Sequence, residues 1–211
     1  MSMSRRGFLV GLPLLLAACS TTTRPTTSTV SMVSAYGPVA DEKFPLPGLN
    51  ARLIQPHLRR QEVAYDTRHP KGSVVIDTPE RYLYYVLGEG RAIRYGVGVG
   101  REGLALRGNA YIGRKAEWPS WTPTANMLRR DPELNGPYRN GVPGGPNNPL
   151  GARALYLYRN GNDTMFRIHG TNQPQSIGLA MSSGCIRLIN HDVVDLYERV
   201  KSGAQVYVIQ A

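Results

Sequence analysis

Short apolar runs rich in β-forming residues and bounded by polar turn residues recur between residues 73 and 209, and this pattern predicts β-strands. Residues 73–77 and 82–87 are rich in valine, leucine and tyrosine, and a Thr-Pro-Glu turn separates them, which indicates a hairpin. Residues 92–99 form a third predicted strand. Its closely spaced glycines indicate a strand approached by other backbone, because no helix follows as a dinucleotide-binding loop requires.

Residues 154–158 and 164–168 form a second predicted hairpin, and residues 185–188 and 205–209 form two further strands. Between the last two, a helical period predicts a single helix with Asn190 as N-cap. Its buried stripe consists of Val193, Val194, Leu196, Tyr197 and Val200. Many short strands and one clear helix indicate a mostly-β fold, a β-sandwich or partly closed barrel with one C-terminal helix before the last strand.

Residues 108–151 are rich in proline and glycine and show little periodicity, so the pattern predicts a long loop region. A loop of this length in a compact domain usually has a function. Trp118 and Trp121 lie in it. Such residues either stack on a sugar or peptide or, more commonly, attach a long loop to the core.

The N-terminus has the pattern of an export signal. Arg5 and Arg6 precede an apolar run that is too short to span a bilayer. The arginine pair resembles a twin-arginine signal, with an ordinary secretory signal as the alternative, and Leu-Ala-Ala-Cys has the form of a lipobox. We therefore expect lipidation of Cys19. Because Ser20 rather than an acid follows it, we expect a periplasm-facing lipoprotein of the outer membrane in the cell envelope.

Serine, threonine and proline dominate residues 20–47, which predicts a flexible tether. Apolar content rises again over residues 53–65, which indicates an arm packed on the folded part. The predicted division is therefore an export signal at 1–18, a lipidated N-terminus with tether and arm at 19–60, and one folded domain at 61–211.

The chain is basic, with 25 Lys+Arg against 15 Asp+Glu. Such a surface suits an anionic partner, which includes nucleic acid, lipid head groups and an acidic cell-wall polymer. The charges are scattered and no nucleic-acid-binding motif accompanies them, so no nucleic-acid partner is expected. Two cysteines and four histidines form no zinc-ligand pattern, and no cofactor is implied.

Cys185 is the candidate nucleophile. With Cys19 in the lipobox it has no partner for an intrachain disulfide, and a free thiol in an oxidising compartment is a liability unless it has a purpose. His169 ends a predicted strand and is a candidate base for this thiol. Gly184 allows tight backbone packing, so that the Cys185 amide can face a developing oxyanion. A buried cysteine beside a structural histidine is the alternative.

The order His169-Gly170-Thr171 and then Ser182 to Arg187, with flanks from about Gly72 to Ile209, closely resembles the signature of the L,D-transpeptidase catalytic domain, the YkuD-type family. The resemblance implies that a cysteine attacks the amide after the third residue of a peptidoglycan tetrapeptide stem and releases the terminal D-alanine. An amine from another stem, a free amino acid or an envelope protein then resolves the thioester. The implied partners are stem peptides, an envelope protein as acceptor, and a membrane through the lipid anchor.

By this resemblance Cys185 is the nucleophile, His169 is its base, and the Gly170 carbonyl orients the imidazole. Arg187 holds a substrate carboxylate, with a structural ion pair as the alternative. The residues that line the pocket are Thr171, Ser182, Ser183 and Gly184. Family members commonly carry a second histidine where this chain has Ser183. The imidazolium charge of that histidine is therefore absent here or is supplied by another residue.

The other histidines are not assigned to the site, because His191 lies near a helix start and His57 and His69 lie outside the core. Three functions stay open. The preferred one is a transpeptidase, the second is a wall carboxypeptidase or amidase with the same thiol chemistry, and the third is a non-catalytic wall-binding lipoprotein. In papain-like enzymes the cysteine precedes its histidine, whereas here His169 comes first. The acceptor amine is not identified by the sequence.

Overall fold

The structure is a computed structural model that describes residues 35–40, 42–100, 106–182 and 184–210. Within these residues the chain forms eleven β-strands and three α-helices. The strands are β1 (Gln61–Ala64), β2 (Val74–Asp77), β3 (Tyr82–Gly88), β4 (Arg91–Gly96), β5 (Val99–Gly100), β6 (Gly108–Glu117), β7 (Arg153–Arg159), β8 (Asn162–His169), β9 (Ala180–Ser182), β10 (Ile186–Arg187) and β11 (Gln205–Ile209). The helices are α1 (Ala125–Arg130), α2 (Pro132–Asn135) and α3 (Asn190–Arg199). No described helix combines the length and the apolar character that a membrane crossing needs.

Nine strands form one sheet in the order β1-β4-β3-β2-β11-β6-β7-β8-β10, and β5 and β9 form a separate pair. Strand β11 runs parallel to β2, β10 runs parallel to β8, and the other neighbours in the large sheet are antiparallel. Just after β4, Gly98 forms an antiparallel bridge with Arg187 of the edge strand β10. The sheet therefore curls until its two ends approach each other. This confirms the predicted mostly-β, partly closed fold with one helix before the last strand.

The main core lies between one face of this sheet and helix α3. The apolar face of the helix presents side chains three and four residues apart, as burial of a helix on a sheet requires. These side chains belong to Val193, Leu196 and Val200, and all three are buried. Lys115 on β6 donates hydrogen bonds to the carbonyls of Tyr197 and Val200, at 2.5 and 2.7 Å. These bonds satisfy carbonyls that the end of a helix leaves without intrahelical partners.

Strand β6 is the largest difference from the sequence prediction. The composition predicts a loop over residues 108–151, but Gly108–Glu117 form a strand inside the sheet, between β11 and β7. A register shift between Ile112 and Arg114 places Gly113 in a bulge, where a Cβ would lie 2.3 Å from the Tyr158 ring. A bulge inverts the faces to which the following residues point, so the alternation in the sequence is broken there.

The other predicted elements form. The two hairpins correspond to β2–β3 and β7–β8, and β11 has the predicted bounds. Helix α3 also forms, but its N-cap is Ile189, which makes no side-chain capping bond. The prediction that Asn190 caps the helix is wrong, because its side-chain oxygen accepts hydrogen bonds from the backbone of neighbouring loops instead.

Residues 35–40 and 42–60 pack against the domain as an arm. Tyr36, Leu46, Ile54 and Leu58 of the arm are buried. The composition predicts a flexible tether up to residue 47, but its described part is already packed. The export signal, Cys19 and the first part of the tether lie outside the described residues.

Candidate active site

Two rows of side chains cross the sheet face that points away from the main core. In register, the first row is Arg114, Tyr156 and Arg167, and the second is Ala154, His169 and Arg187. Because alternate residues of a strand share a face, Cys185 lies two residues before Arg187 on the same side. The parallel pairing of β8 with β10 therefore places His169 and Cys185 diagonally on adjacent strands.

His169 is held in one tautomer. Its side chain is 4% exposed, and its Nδ1 lies 2.6 Å from the Gly170 carbonyl oxygen. A carbonyl only accepts, so Nδ1 carries the proton and Nε2 keeps the lone pair. Burial, with the Arg187 charge as a smaller cause, lowers the pKa of His169 to about 3. The imidazole is therefore neutral near pH 7, and the Gly170 carbonyl lies where an orienting acceptor would be needed.

Asn190 fixes the loop that follows His169. Its Oδ1 accepts hydrogen bonds from the backbone N–H of Ala152, at 3.0 Å, and of Thr171, at 3.2 Å. One side chain on helix α3 thus ties together the chain entering β7 and the chain leaving β8. The sequence prediction did not assign Asn190 to the site, because an asparagine at the start of a predicted helix is typical of an N-cap residue.

Cys185 follows a glycine that no other residue can replace without strain. Gly184 has a φ of 125°, in a region that disfavours side chains. Gly100 on β5 approaches so closely that a Cβ there would lie 2.6 Å from the Gly184 Cα. This contact sets the position of the peptide that precedes Cys185.

The Cys185 thiol is half-buried, and burial raises its pKa. The Arg167 backbone N–H, which bonds to the sulfur, and the charges of Arg167 and Arg187 act in the opposite direction without outweighing burial. At rest the site is therefore a neutral thiol close to a neutral imidazole, rather than a preformed ion pair.

Arg187 has no ion-pair partner among the described residues. Its Nε is buried and makes no hydrogen bond, and burial lowers its pKa. The alternative interpretation, in which Arg187 forms a structural ion pair, therefore has no acidic partner among the described residues. A half-buried cation whose Nε is buried without an acceptor is costly, and an anionic group of a ligand offsets that cost.

A groove of about 700 Å³ opens beside the thiol. Cys185, Arg167 and Tyr156 line it on the sheet, and Trp121 and Met127 line it from the segment before α1 and from α1 itself. Trp118 behaves differently from Trp121, since it is buried and its indole N–H donates to Glu42 Oε2 at 2.8 Å. Trp118 therefore attaches the loop to the arm, while Trp121 is available to a ligand.

The remaining predicted pocket residues are spread more widely. Thr171 is buried, and its hydroxyl accepts from the Gln173 N–H. It lines a second cavity of about 240 Å³ beneath the arm, apart from the thiol groove. The backbone of Ser182 belongs to β9, but its side chain and the whole of Ser183 lie outside the described residues.

The other histidines lie away from the thiol. His191 is the second residue of α3, and its Nε2 lies 3.0 Å from the Gly37 carbonyl oxygen. His69 stacks on Tyr207 with ring centroids 3.8 Å apart, and His57 is exposed in the arm.

Known proteins resemble this chain in sequence over its folded part. The family model described as YkuD, L,D-transpeptidase catalytic domain, matches residues 71–208. The probable L,D-transpeptidase YbiS of Escherichia coli strain K12 is 36% identical over 155 residues, which are 72% of this chain and 49% of that protein. The probable L,D-transpeptidase ErfK/SrfK of the same strain is 36% identical over 175 residues, covering 82% of this chain and 53% of that protein.

A solved structure is similar in both sequence and fold. A crystal structure from Brucella melitensis, described as a probable carnitine operon oxidoreductase caia, is 49% identical with a TM-score of 0.50, and covers 76% of this chain and 99% of that one. The word oxidoreductase describes the Brucella melitensis protein and is not carried over to this chain. The chain spans about half the length of the curated relatives YbiS and ErfK/SrfK. With the family model matching well over half of its residues, the chain belongs to the L,D-transpeptidase catalytic domain family.

Proposed function

We propose that this chain is a peptidoglycan L,D-transpeptidase that transfers an acyl group through Cys185. The observation that carries the proposal is the placement of Cys185 and a fixed-tautomer His169 on one sheet face beside an open groove. Membership of the family makes a tetrapeptide stem the substrate to test. The groove volume is in the range of known ligand sites.

In the first half-reaction the thiol proton passes to His169 Nε2, because Nδ1 already carries a proton. The sulfur bonds to the carbonyl carbon of the third stem residue, and the bond from that carbon to the D-alanine nitrogen breaks. His169 returns its proton to the leaving amine. Both groups are neutral at rest, so the thiolate forms as the substrate arrives.

The second half-reaction repeats these steps in reverse order. The acceptor amine gives a proton to His169 and attacks the thioester, and the sulfur leaves as a thiolate that His169 reprotonates. An amine of another stem gives a 3-3 crosslink, while an amino acid or an envelope protein gives an attached product. The Cys185 backbone N–H, positioned by Gly184, is the candidate donor to the oxyanion in both steps.

Arg187 is the proposed anchor for a substrate carboxylate. Its buried, unpartnered Nε and the absence of a described ion-pair partner support this role. A carboxylate that pairs with this guanidinium forms charge-assisted hydrogen bonds, which are about twice as strong as neutral ones.

The test is to incubate the purified protein with tetrapeptide stems and to identify the products by mass spectrometry. Crosslinked dimers or exchange of D-alanine for another amino acid support transfer, whereas tripeptide alone identifies a hydrolase of the same thiol chemistry. Cys185→Ala should abolish product and the covalent acyl adduct. Turnover that survives in Cys185→Ala would exclude the assigned nucleophile, and no product from the wild type would favour a non-catalytic wall-binding protein.

We also propose that lipidated Cys19 anchors the protein in the cell envelope, on the basis of the lipobox and the tether composition alone. The substitution Cys19→Ser should move the protein from the membrane fraction to the soluble fraction of the same cells. Membrane fractionation that persists in this variant would contradict the lipid anchor.

A further inference from the structure

Strand β8 contains a bulge next to the thiol. Asp163 pairs with Tyr158 and Arg167 pairs with Tyr156, so residues 164–166 face Leu157 alone. Met165 in the bulge has a φ of 65°, which is rare for a residue with a side chain. Bulges beside active sites re-aim side chains. Here the bulge brings Asp163 and Arg167, four residues apart, together on the sheet face that carries the site.

The Arg167 guanidinium is held on several sides. It forms two bonds to the Asp163 carboxylate, at 2.7 and 3.0 Å, and one to the Phe166 carbonyl at 3.0 Å. Its centre lies 4.3 Å from the centroid of the Tyr156 ring, and the side chain is only 13% exposed. Bidentate pairing and stacking both restrict an arginine, so this cation has a fixed position.

This fixed cation lies beside the nucleophile. The parallel register of β8 and β10 aligns Arg167 with the position of Cys185, and the Arg167 N–H donates to the Cys185 sulfur. Both residues line the same groove. The other charged or titratable groups on this sheet face beside the thiol are Arg187 on β10 and His169 at the end of β8, and Arg130 of α1 lines the same groove.

A positive charge beside the sulfur can stabilise the thiolate in addition to the protonated His169. The His169 imidazole is neutral and cannot stabilise a thiolate by charge before it takes up the thiol proton. Ser183 carries no charge either. We propose that Arg167, held in place by Asp163, stabilises the Cys185 thiolate through its backbone N–H and its guanidinium, with Asp163 reducing the charge that the sulfur experiences. This rests on the proposed role of Cys185 as nucleophile.

The test measures the rate at which iodoacetamide, a neutral reagent, alkylates Cys185 between pH 6 and 10. Mass spectrometry of the peptide that contains Cys185 separates it from Cys19. Replacing Arg167 by Gln should raise the midpoint of this profile by ~0.5–1 pH unit, and so slow alkylation at pH 7 by roughly 3–10-fold. Asp163→Asn should lower the midpoint and speed alkylation by roughly 2–3-fold, because the carboxylate charge disappears while Asn keeps an acceptor for the Met165 N–H.

The opposite signs separate an electrostatic role from a structural one. Both substitutions break the same ion pair, so a merely structural role would shift both profiles in one direction. Arg167→Lys keeps the charge and should stay close to the wild-type midpoint. Arg114→Gln is the matched control, since Arg114 stacks on the same Tyr156 ring but lies on β6, two strands further from the sulfur than Arg167. It should leave the midpoint unchanged.

Shifts of the same sign in Arg167→Gln and Asp163→Asn, or no shift in either, overturn the inference. Thermal unfolding of each variant shows whether it is folded, and Arg167→Lys keeps the test valid if Arg167→Gln does not fold. The outcome is independent of transfer activity. Stem turnover with unshifted alkylation profiles would leave the proposed function intact, whereas turnover by Cys185→Ala removes the proposed function whatever the profiles show.

Discussion

Asn190 shows how much one side chain contributes to the site without touching the reacting atoms. Its carboxamide oxygen satisfies two backbone N–H groups, one before β7 and one after β8. The His169 side chain is oriented by the carbonyl of Gly170, which lies between those points. The orientation of the imidazole therefore depends on a residue in helix α3.

The substitution Asn190→Ala should destabilise the fold by about 2 kcal/mol, because it leaves two largely buried N–H groups without an acceptor. It should also lower kcat/KM on stem peptides by roughly 10–100-fold as the imidazole loses its position. Denaturant titration and steady-state kinetics measure the two effects. Asn172→Ala, in an exposed position of the same loop, is the control and should change neither by a comparable amount. Equal effects in the two variants would contradict the role of Asn190.

At the residue scale the sequence identified the positions that carry a motif and missed those that depend on long-range geometry. His169, Gly170 and Cys185 lie together because β8 pairs with β10, and the motif had marked them as parts of one site without predicting that pairing. Asp163 and Arg167 were not recognised. On a regular strand these two residues would share a face but lie about 13 Å apart. The bulge brings their side chains into contact beside the sulfur, and it has no glycine or repeated pattern to reveal it.

At the scale of elements, the arm is attached to the sheet by a charged cluster. Glu42 of the arm bonds to Arg153 at the start of β7 and also accepts from Trp118, and the Glu42 and Arg153 side chains are 8% and 5% exposed. Burial alone raises the pKa of Glu42, but the hydrogen bonds and charge of Arg153 and the bond from Trp118 outweigh burial, so its pKa lies below the usual value. The carboxylate therefore stays ionised and paired at neutral pH.

The substitution Glu42→Gln should lower the free energy of unfolding by about 3 kcal/mol at pH 7, because it removes the buried partner of the buried Arg153 charge and leaves only the exposed Glu117 carboxylate at 3.9 Å. Glu62→Gln breaks an exposed pair with Arg91 on β1 and β4 and should have no measurable effect. Chemical denaturation of both variants gives the comparison. A loss in Glu62→Gln as large as in Glu42→Gln would show that burial of the pair is not the cause.

Helix α3 could be predicted from the sequence because its period is uninterrupted, and the predicted strands because they are short runs of β-forming residues between turn residues. Strand β6 could not, since Gly113 inverts its alternation midway. The arm shows a different kind of failure. Its Ser-, Thr- and Pro-containing composition predicts a tether, yet a few side chains such as Tyr36 and Glu42 find partners that are more than a hundred residues away. Composition averages do not detect such pairs.

At the scale of the whole molecule, two buried groups give opposite dependences of stability on pH. Burial raises the pKa of Asp192 on α3 to about 7, against the opposing effects of Arg60 and Tyr36, and burial lowers that of His169 to about 3. The folded state holds the Asp192 proton more tightly than the unfolded chain, so this contribution is full below about pH 4 and is lost as pH rises towards 7. For His169 the unfolded chain binds the proton more tightly, so its contribution is lost as pH falls from about 6.5 towards 3.

Between about pH 4 and 6.5 the two contributions should offset each other, and single substitutions should separate them. In Asp192→Asn the free energy of unfolding should rise more steeply with pH than in the wild type, with a change in slope of at most ~1.4 kcal/mol per pH unit. In His169→Gln it should rise less steeply or fall. Denaturant titrations at pH 4.5, 5.5 and 6.5 measure the slopes. Slope changes of the same sign in both variants would contradict this account.

Strand β11 has a consequence for the order in which the molecule can be made. It is the last described strand to be synthesised, yet it lies in the interior of the sheet, between β2 and β6. Within the large sheet, the strands β1 to β4 are joined to the strands that carry the site through β11, and outside it the Gly98–Arg187 bridge and the β5–β9 pair link the same two halves. A chain that ends before Gln205 therefore leaves the edges of β2 and β6 unpaired at once, and such edges are surfaces on which strands of other chains add. Residues 205–209 cover both edges in a single step, so truncation just before them should promote aggregation more than their small number suggests.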